Sequence, residues 1–192
     1  MDKLQKGHSA VAEGSIFDAA SRRGDKPEET LADADVVIML DCSSSMSEGI
    51  AGGTETRYDE AKKAVADIQR AFPGRVVLVS FASHAQLELT GIPQSPNGST
   101  NMREALEIAK QFDGLDTKFY LVSDGFPDSQ GTVLELAKTF EDPINVIFIG
   151  DDYTMSGMEF LGKVADITGG TDEGQISPKM LGDTMKLLIT GQ

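Results

Sequence analysis

The sequence predicts an open α/β fold: a doubly wound, mostly parallel sheet with one antiparallel edge strand and helices on both faces. Three observations carry this. From Asp35 onward, short β-branched apolar runs alternate with amphipathic helical segments, the pattern of a parallel sheet covered on both sides. Four of the runs, 36–40 (VVIML), 76–81 (VVLVSF), 119–122 (FYLV) and 144–149 (INVIFI), are apolar at nearly every position, as strands buried on both faces must be. A fifth run differs, because Ala85, Leu87 and Leu89 alternate with Gln86, Glu88 and Thr90 directly after the second run. So short a connection allows only an antiparallel hairpin, and half-polar alternation suits an edge with one wet face.

The helices follow in order. Residues 9–23 have helical character interrupted by Gly14, and the polar stretch 24–29 (GDKPEE) reads as a linker, so residues 1–34 form a partly helical N-terminal arm and residues 35–192 the domain. After the first strand, Tyr58, Ala61, Val65, Ile68 and Phe72 recur with helical period while Asp59, Glu60, Lys62, Lys63 and Asp67 take the other side. Met102, Ala105, Ala109 and Phe112 mark a second helix, and Val133, Leu136, Ala137 and Phe140 a third. Met158, Leu161 and Ala165 mark a fourth, and Leu181, Met185 and Leu188 a fifth that closes the chain.

Composition narrows the function. At 192 residues with 40% hydrophobic content, the chain can fill one sizeable core. The formal charge of −14 opposes nucleic acid and anionic membrane surfaces, both of which need a basic footprint. One cysteine, Cys42, cannot form an internal disulfide, the charged start is not followed by a signal-like apolar stretch, and no segment reaches membrane-spanning length. The expectation is a soluble, cytoplasmic protein.

Chemistry concentrates where strands end. Ligands of doubly wound sheets collect beyond the carboxyl ends of the strands, where the connection order reverses. There the first strand runs into Asp41-Cys42-Ser43-Ser44-Ser45-Met46-Ser47, and the strand at 119–122 into Ser123-Asp124-Gly125. Ser and Asp at such junctions are commonly helix N-caps. An N-cap needs a single polar side chain, however, and the helical pattern resumes only near Arg57. Asp41, Ser43 and Ser45 at alternate positions, with Asp124 at the same sheet edge, fit convergence on a hard divalent cation such as magnesium, which takes oxygen ligands in near-octahedral array.

These residues resemble the von Willebrand factor A (vWA) family, whose metal-ion-dependent adhesion site is built from Asp-x-Ser-x-Ser, a distant Thr and a distant Asp. The resemblance runs from Asp35 to the end, including the edge hairpin, and implies a Rossmann-like vWA fold. It implies Ser43 and Ser45 as direct metal ligands, Asp41 and Asp124 as largely water-mediated ones, and a threonine as the fifth. Thr100, in Gly98-Ser99-Thr100-Asn101 after the edge strand, has the family's position; Thr54, in Gly52-Gly53-Thr54, has the more family-like local spelling but lies in the loop leaving the first strand. Ser44, Ser99 and Ser123 replace residues more frequent in the family without removing a ligand oxygen. Gly150-Asp151-Asp152, Phe160-Leu161 and Gly169-Gly170 also look like bacterial or phage-encoded intracellular members.

The resemblance implies a module that binds an acidic side chain of a partner protein through Mg2+ or Mn2+, and no enzyme. Bacterial members often accompany ring-forming ATPases as adaptors, so such an ATPase is one expected partner. Glu48, Phe126 and Asp128 would rim the site, with Phe126 either an exposed contact or a core residue. Cys42 and Met46 read as packing, and His8 and His84 lack partners at zinc-site spacing. Two alternatives stand beside this reading. A magnesium-dependent phosphohydrolase would use Asp41 and Asp124, but Ser43 stands where its second acid belongs, and no phosphate-binding loop or nucleophile elbow is present. A structural subunit would keep the site only as a vestige.

Overall fold

The computed structural model describes residues 10–50, 54–150 and 155–191. His8, Gly52, Gly53, Asp151 and Asp152 lie outside these residues. The elements are α1 (Ile16–Arg23), α2 (Pro27–Ala32), β1 (Val36–Asp41), α3 (Arg57–Ala71), β2 (Val76–Phe81), β3 (Ala85–Leu87), α4 (Met102–Ala109), β4 (Lys118–Ser123), α5 (Gln130–Ala137), β5 (Ile144–Phe148), α6 (Met155–Thr168), β6 (Asp172–Gln175) and α7 (Leu181–Thr190).

The sheet has the order β3-β2-β1-β4-β5-β6, parallel throughout except for β3, which runs antiparallel to β2 at one edge. This is the doubly wound sheet that the apolar runs predict. Alternate residues of each central strand face opposite layers. Val36, Ile38 and Leu40 pack with Ala61, Val65 and Ile68 of α3 and Leu181 and Met185 of α7. Val37 and Met39 face the other way, onto Met102 and Leu106 of α4, Val133 of α5 and Phe160 and Val164 of α6.

β1 is the central strand of this arrangement. The chain leaves it for β2 on one side, while β4 lies on the other, so the connection order reverses between β1 and β4. Register places Leu40 opposite Val122, and the strands end at Asp41 and Ser123. Both acidic signals of the sequence therefore open into one crevice.

Three features depart from the sequence reading. Composition reads residues 24–29 as linker, but Pro27–Ala32 form a short helix, started by a proline at its first position and by the Glu29 carboxylate accepting from the Lys26 N–H at 3.2 Å. The edge strand stops at Leu87 instead of running through Leu89: the chain turns there, the Glu88 carbonyl accepting from the Gly91 N–H at 2.9 Å, and the Leu89 and Thr90 carbonyls accept from the Phe17 and Ala12 N–H groups of the N-terminal segment. A sixth strand, Asp172–Gln175, adds to the far edge, where two-sided burial is not demanded and a polar sequence is tolerated.

The N-terminal segment lies against the body. Gly14, at φ +80°, accepts from the Gly74 N–H through its carbonyl, and a Cβ there would stand 2.1 Å from the Gln69 carbonyl oxygen. Ile16, Ala19 and Ala20 of α1 are buried.

Candidate metal centre

The loop after β1 turns at once into a single 3-10 turn, Ser44–Ser47, whose preceding residue, Ser43, makes no capping bond with its side chain. The hydroxyl of Ser43 is engaged elsewhere. Ser45 Oγ donates to Asp124 Oδ1 at 2.8 Å, and the Ser43 and Ser45 Oγ atoms are 3.1 Å apart, within hydrogen-bond reach of each other. Three candidate ligand oxygens from two strand ends thus form a connected row. Met46 anchors the turn by pointing into the core, and Cys42 packs there too. Burial pushes the Cys42 thiol well above its ordinary range, as suits a small buried filler and not a nucleophile.

Asp41 stands behind this row and is fully buried. Its Oδ1 accepts from the Ser43 N–H at 2.8 Å and its Oδ2 from Ser123 Oγ at 2.6 Å. Burial, and after it the charge of Asp124, push its pKa up to about 6. Asp124 is also raised, burial outweighing the bonds it receives from Ser45 and Arg57. Burial thus disfavours the charged form of both carboxylates at one point.

Thr100 is half-buried in a neighbouring loop. That loop is tied to the first by Ser44, whose N–H and Oγ both donate to the Gly98 carbonyl at 3.2 and 3.0 Å, and by the Asn97 N–H, which donates to the Cys42 carbonyl at 2.9 Å. Gly98 has φ +60°, and a Cβ would meet Ser83 Oγ at 2.0 Å, so this turn requires glycine. Asp128 fixes the backbone of Thr100 from both sides: its Oδ1 accepts from the Thr100 N–H at 3.0 Å, and its own N–H donates to the Thr100 carbonyl at 3.0 Å. Its Oδ2 accepts from Ser99 Oγ at 2.8 Å, so both carboxylate oxygens of Asp128 are engaged within the loop. Thr54 is exposed, as is Phe126.

Arg57 is a participant that sequence reasoning missed. It opens α3 and is almost fully buried. Its Nη1 donates to Asp124 Oδ2 at 2.9 Å, to the exposed Glu48 carboxylate at 3.1 Å and to the Ser45 carbonyl at 3.3 Å. Among charged residues at a helix start an arginine reads as one more solvated side chain, and only the position of Asp124 across the sheet edge shows otherwise.

The donor set fits a hard divalent cation. An octahedral magnesium site with bonds of about 2.0–2.1 Å has adjacent ligand oxygens about 3 Å apart. The Ser43–Ser45 separation of 3.1 Å is such an edge.

No family model matches the chain. A relative in Bacillus subtilis (strain 168), the uncharacterized protein YwmC, is 30% identical over 176 residues, spanning 74% of this chain and 77% of that one. Among solved structures, an aerotolerance-related membrane protein from Bacteroides fragilis matches with a TM-score of 0.60 at 17% identity, over 83% of this chain and 100% of that one. A von Willebrand factor type A protein from Catenulispora acidiphila matches with a TM-score of 0.55 at 18% identity, over 81% of this chain and 42% of that one. Those two likenesses speak for the fold. With the sheet order, the antiparallel edge and the Asp41-Cys42-Ser43-Ser44-Ser45 loop at the switch point, they show that the chain has the von Willebrand factor A fold, and it belongs to the same family as YwmC.

Proposed function

We propose that this domain binds a divalent cation, Mg2+ or Mn2+, through Ser43, Ser45 and Thr100, with Asp41 and Asp124 supporting it, and uses the ion to hold an acidic side chain of a partner protein. The observation that carries this reading is the pair of Ser43 and Ser45 hydroxyls at octahedral-edge spacing, with Asp124 bonded to Ser45 and the buried Asp41 behind them. Neutral hydroxyls do not cancel the charge of a bound ion, so the ion would supply an electrophilic position for an external carboxylate. Screening over about 8 Å at physiological salt lets that contact outweigh the acidic surface.

The chain's own residues prepare such a site. Asp41 orients Ser43 through its backbone N–H, Asp124 orients Ser45, and Asp128 sets the backbone at Thr100. The phosphohydrolase alternative asks Asp41 to attack a substrate. Its complete burial and two engaged oxygens weigh against that role. Among the described residues no helix is long and apolar enough to cross a membrane.

The test is affinity capture by the immobilised domain from its host's lysate, in Mg2+ and in chelator, scored for ring-forming ATPases among the retained proteins. A partner kept in Mg2+, and lost both in chelator and with Asp41→Ala, supports the reading. Capture that ignores chelator contradicts it.

A further inference from the structure

A cation site does not call for a buried cation of its own, yet Arg57 is one, with its side chain 7% exposed. It is the first residue of α3, at the positive end of the helix dipole, which disfavours a guanidinium. What offsets this is acidic. Its Nη1 reaches Asp124 Oδ2, Glu48 Oε2 and the Ser45 carbonyl, and two of these three acceptors belong to residues assigned above to the metal.

We infer that Arg57 is the resident counter-charge of the cation site: it steadies the metal-free loops and opposes the incoming ion, and so sets the affinity of the site. This rests on the reading of Ser43, Ser45 and Asp124 as metal-binding residues. Without an ion, the buried carboxylates of Asp41 and Asp124 repel each other, and the guanidinium on Asp124 relieves that repulsion. The same positive charge then works against a divalent ion held by Asp124, because like charges are costly where water is scarce. Glu48 gives the guanidinium a second anion when Asp124 is shared with a metal. Its side chain is 63% exposed, so it can follow Arg57 without disturbing the core.

Calorimetric titration with Mg2+, paired with thermal melts in chelator, tests this on the full chain. Arg57→Met is expected to bind Mg2+ about tenfold tighter than the wild type or better, while its metal-free melting temperature falls by several degrees. Arg57→Lys keeps the charge and is expected to stay within about threefold of wild-type affinity. If the wild type binds and Arg57→Met binds equally or more weakly, the inference is overturned while the metal reading stands. Absence of binding in every protein overturns both. Should Arg57→Met not fold, Glu48→Gln on an exposed side chain decides: with one anion fewer to draw Arg57 away from Asp124, Mg2+ binding weakens several-fold, and unchanged binding overturns the inference.

Discussion

Ser123, the last residue of β4, donates its hydroxyl hydrogen to Asp41, the last residue of β1, at 2.6 Å inside the protein. The bond closes the crevice between the two central strands and fixes the carboxylate that in turn orients Ser43. Ser123→Ala leaves a fully buried carboxylate short of a donor. Denaturant unfolding should show a loss of about 1–3 kcal/mol, within the range for a hydrogen bond to a charged group. A loss under roughly 0.5 kcal/mol would mean that the bond does not organise the site.

Asp41 also predicts a pH dependence. Its folded pKa of about 6 lies above the ordinary 3.8, so the fold favours the protonated form. Its contribution is full below pH 3.8 and is lost as pH rises through 6, by up to roughly 3 kcal/mol. In chelator, the wild type should therefore lose stability relative to Asp41→Asn between pH 4 and pH 7.5. Mg2+ should return more of it at pH 7.5 than at pH 5, since protons compete with the metal. Parallel pH curves for the two proteins would show that Asp41 carries no such burden.

The threonine assignment separates by mutation. Thr100→Ala should remove most of the Mg2+-induced rise in melting temperature, and Thr54→Ala should leave it intact, because the Thr100 loop is bonded to the Ser44 turn whereas Thr54 is exposed. The reverse pattern would transfer the role to Thr54. Asp128→Ala is expected to weaken Mg2+ binding without touching a ligand, since it removes the acceptor of the Thr100 N–H and of the Ser99 hydroxyl.

The N-terminal segment gives a prediction about folding. Gly14→Ala meets both a positive φ and a 2.1 Å clash with the Gln69 carbonyl, and should cost roughly 2 kcal/mol or more. Removing residues 1–24 should destabilise the domain as well, because it exposes the Leu89 and Thr90 carbonyls. A truncated chain melting at the wild-type temperature would make the segment an independent arm.

Much of this was legible in the sequence for identifiable reasons. Strands buried on both faces are apolar at nearly every position, so β1, β2, β4 and β5 stand out as nearly continuous runs, and a charged residue ending such a run, as Asp41 does, marks the crevice. The alternation at Ala85 and Leu87 exposed the antiparallel edge. What stayed hidden depends on tertiary neighbours. Asp172–Gln175 pairs through its backbone at an outer edge and carries no apolar signature. Arg57 takes its meaning from Asp124, 67 positions away. Asp128 looks like a solvated loop charge until its bonds to Ser99 and Thr100 are seen.

The most direct test is an anomalous difference map from crystals grown with Mn2+. The account predicts a peak within about 2.0–2.4 Å of both the Ser43 and Ser45 hydroxyls, with Thr100 Oγ1 completing the contact and Asp41 behind the first layer of ligands. Manganese bound only elsewhere on the molecule, with Ser43, Ser45 and Asp124 keeping their mutual hydrogen bonds, would contradict it.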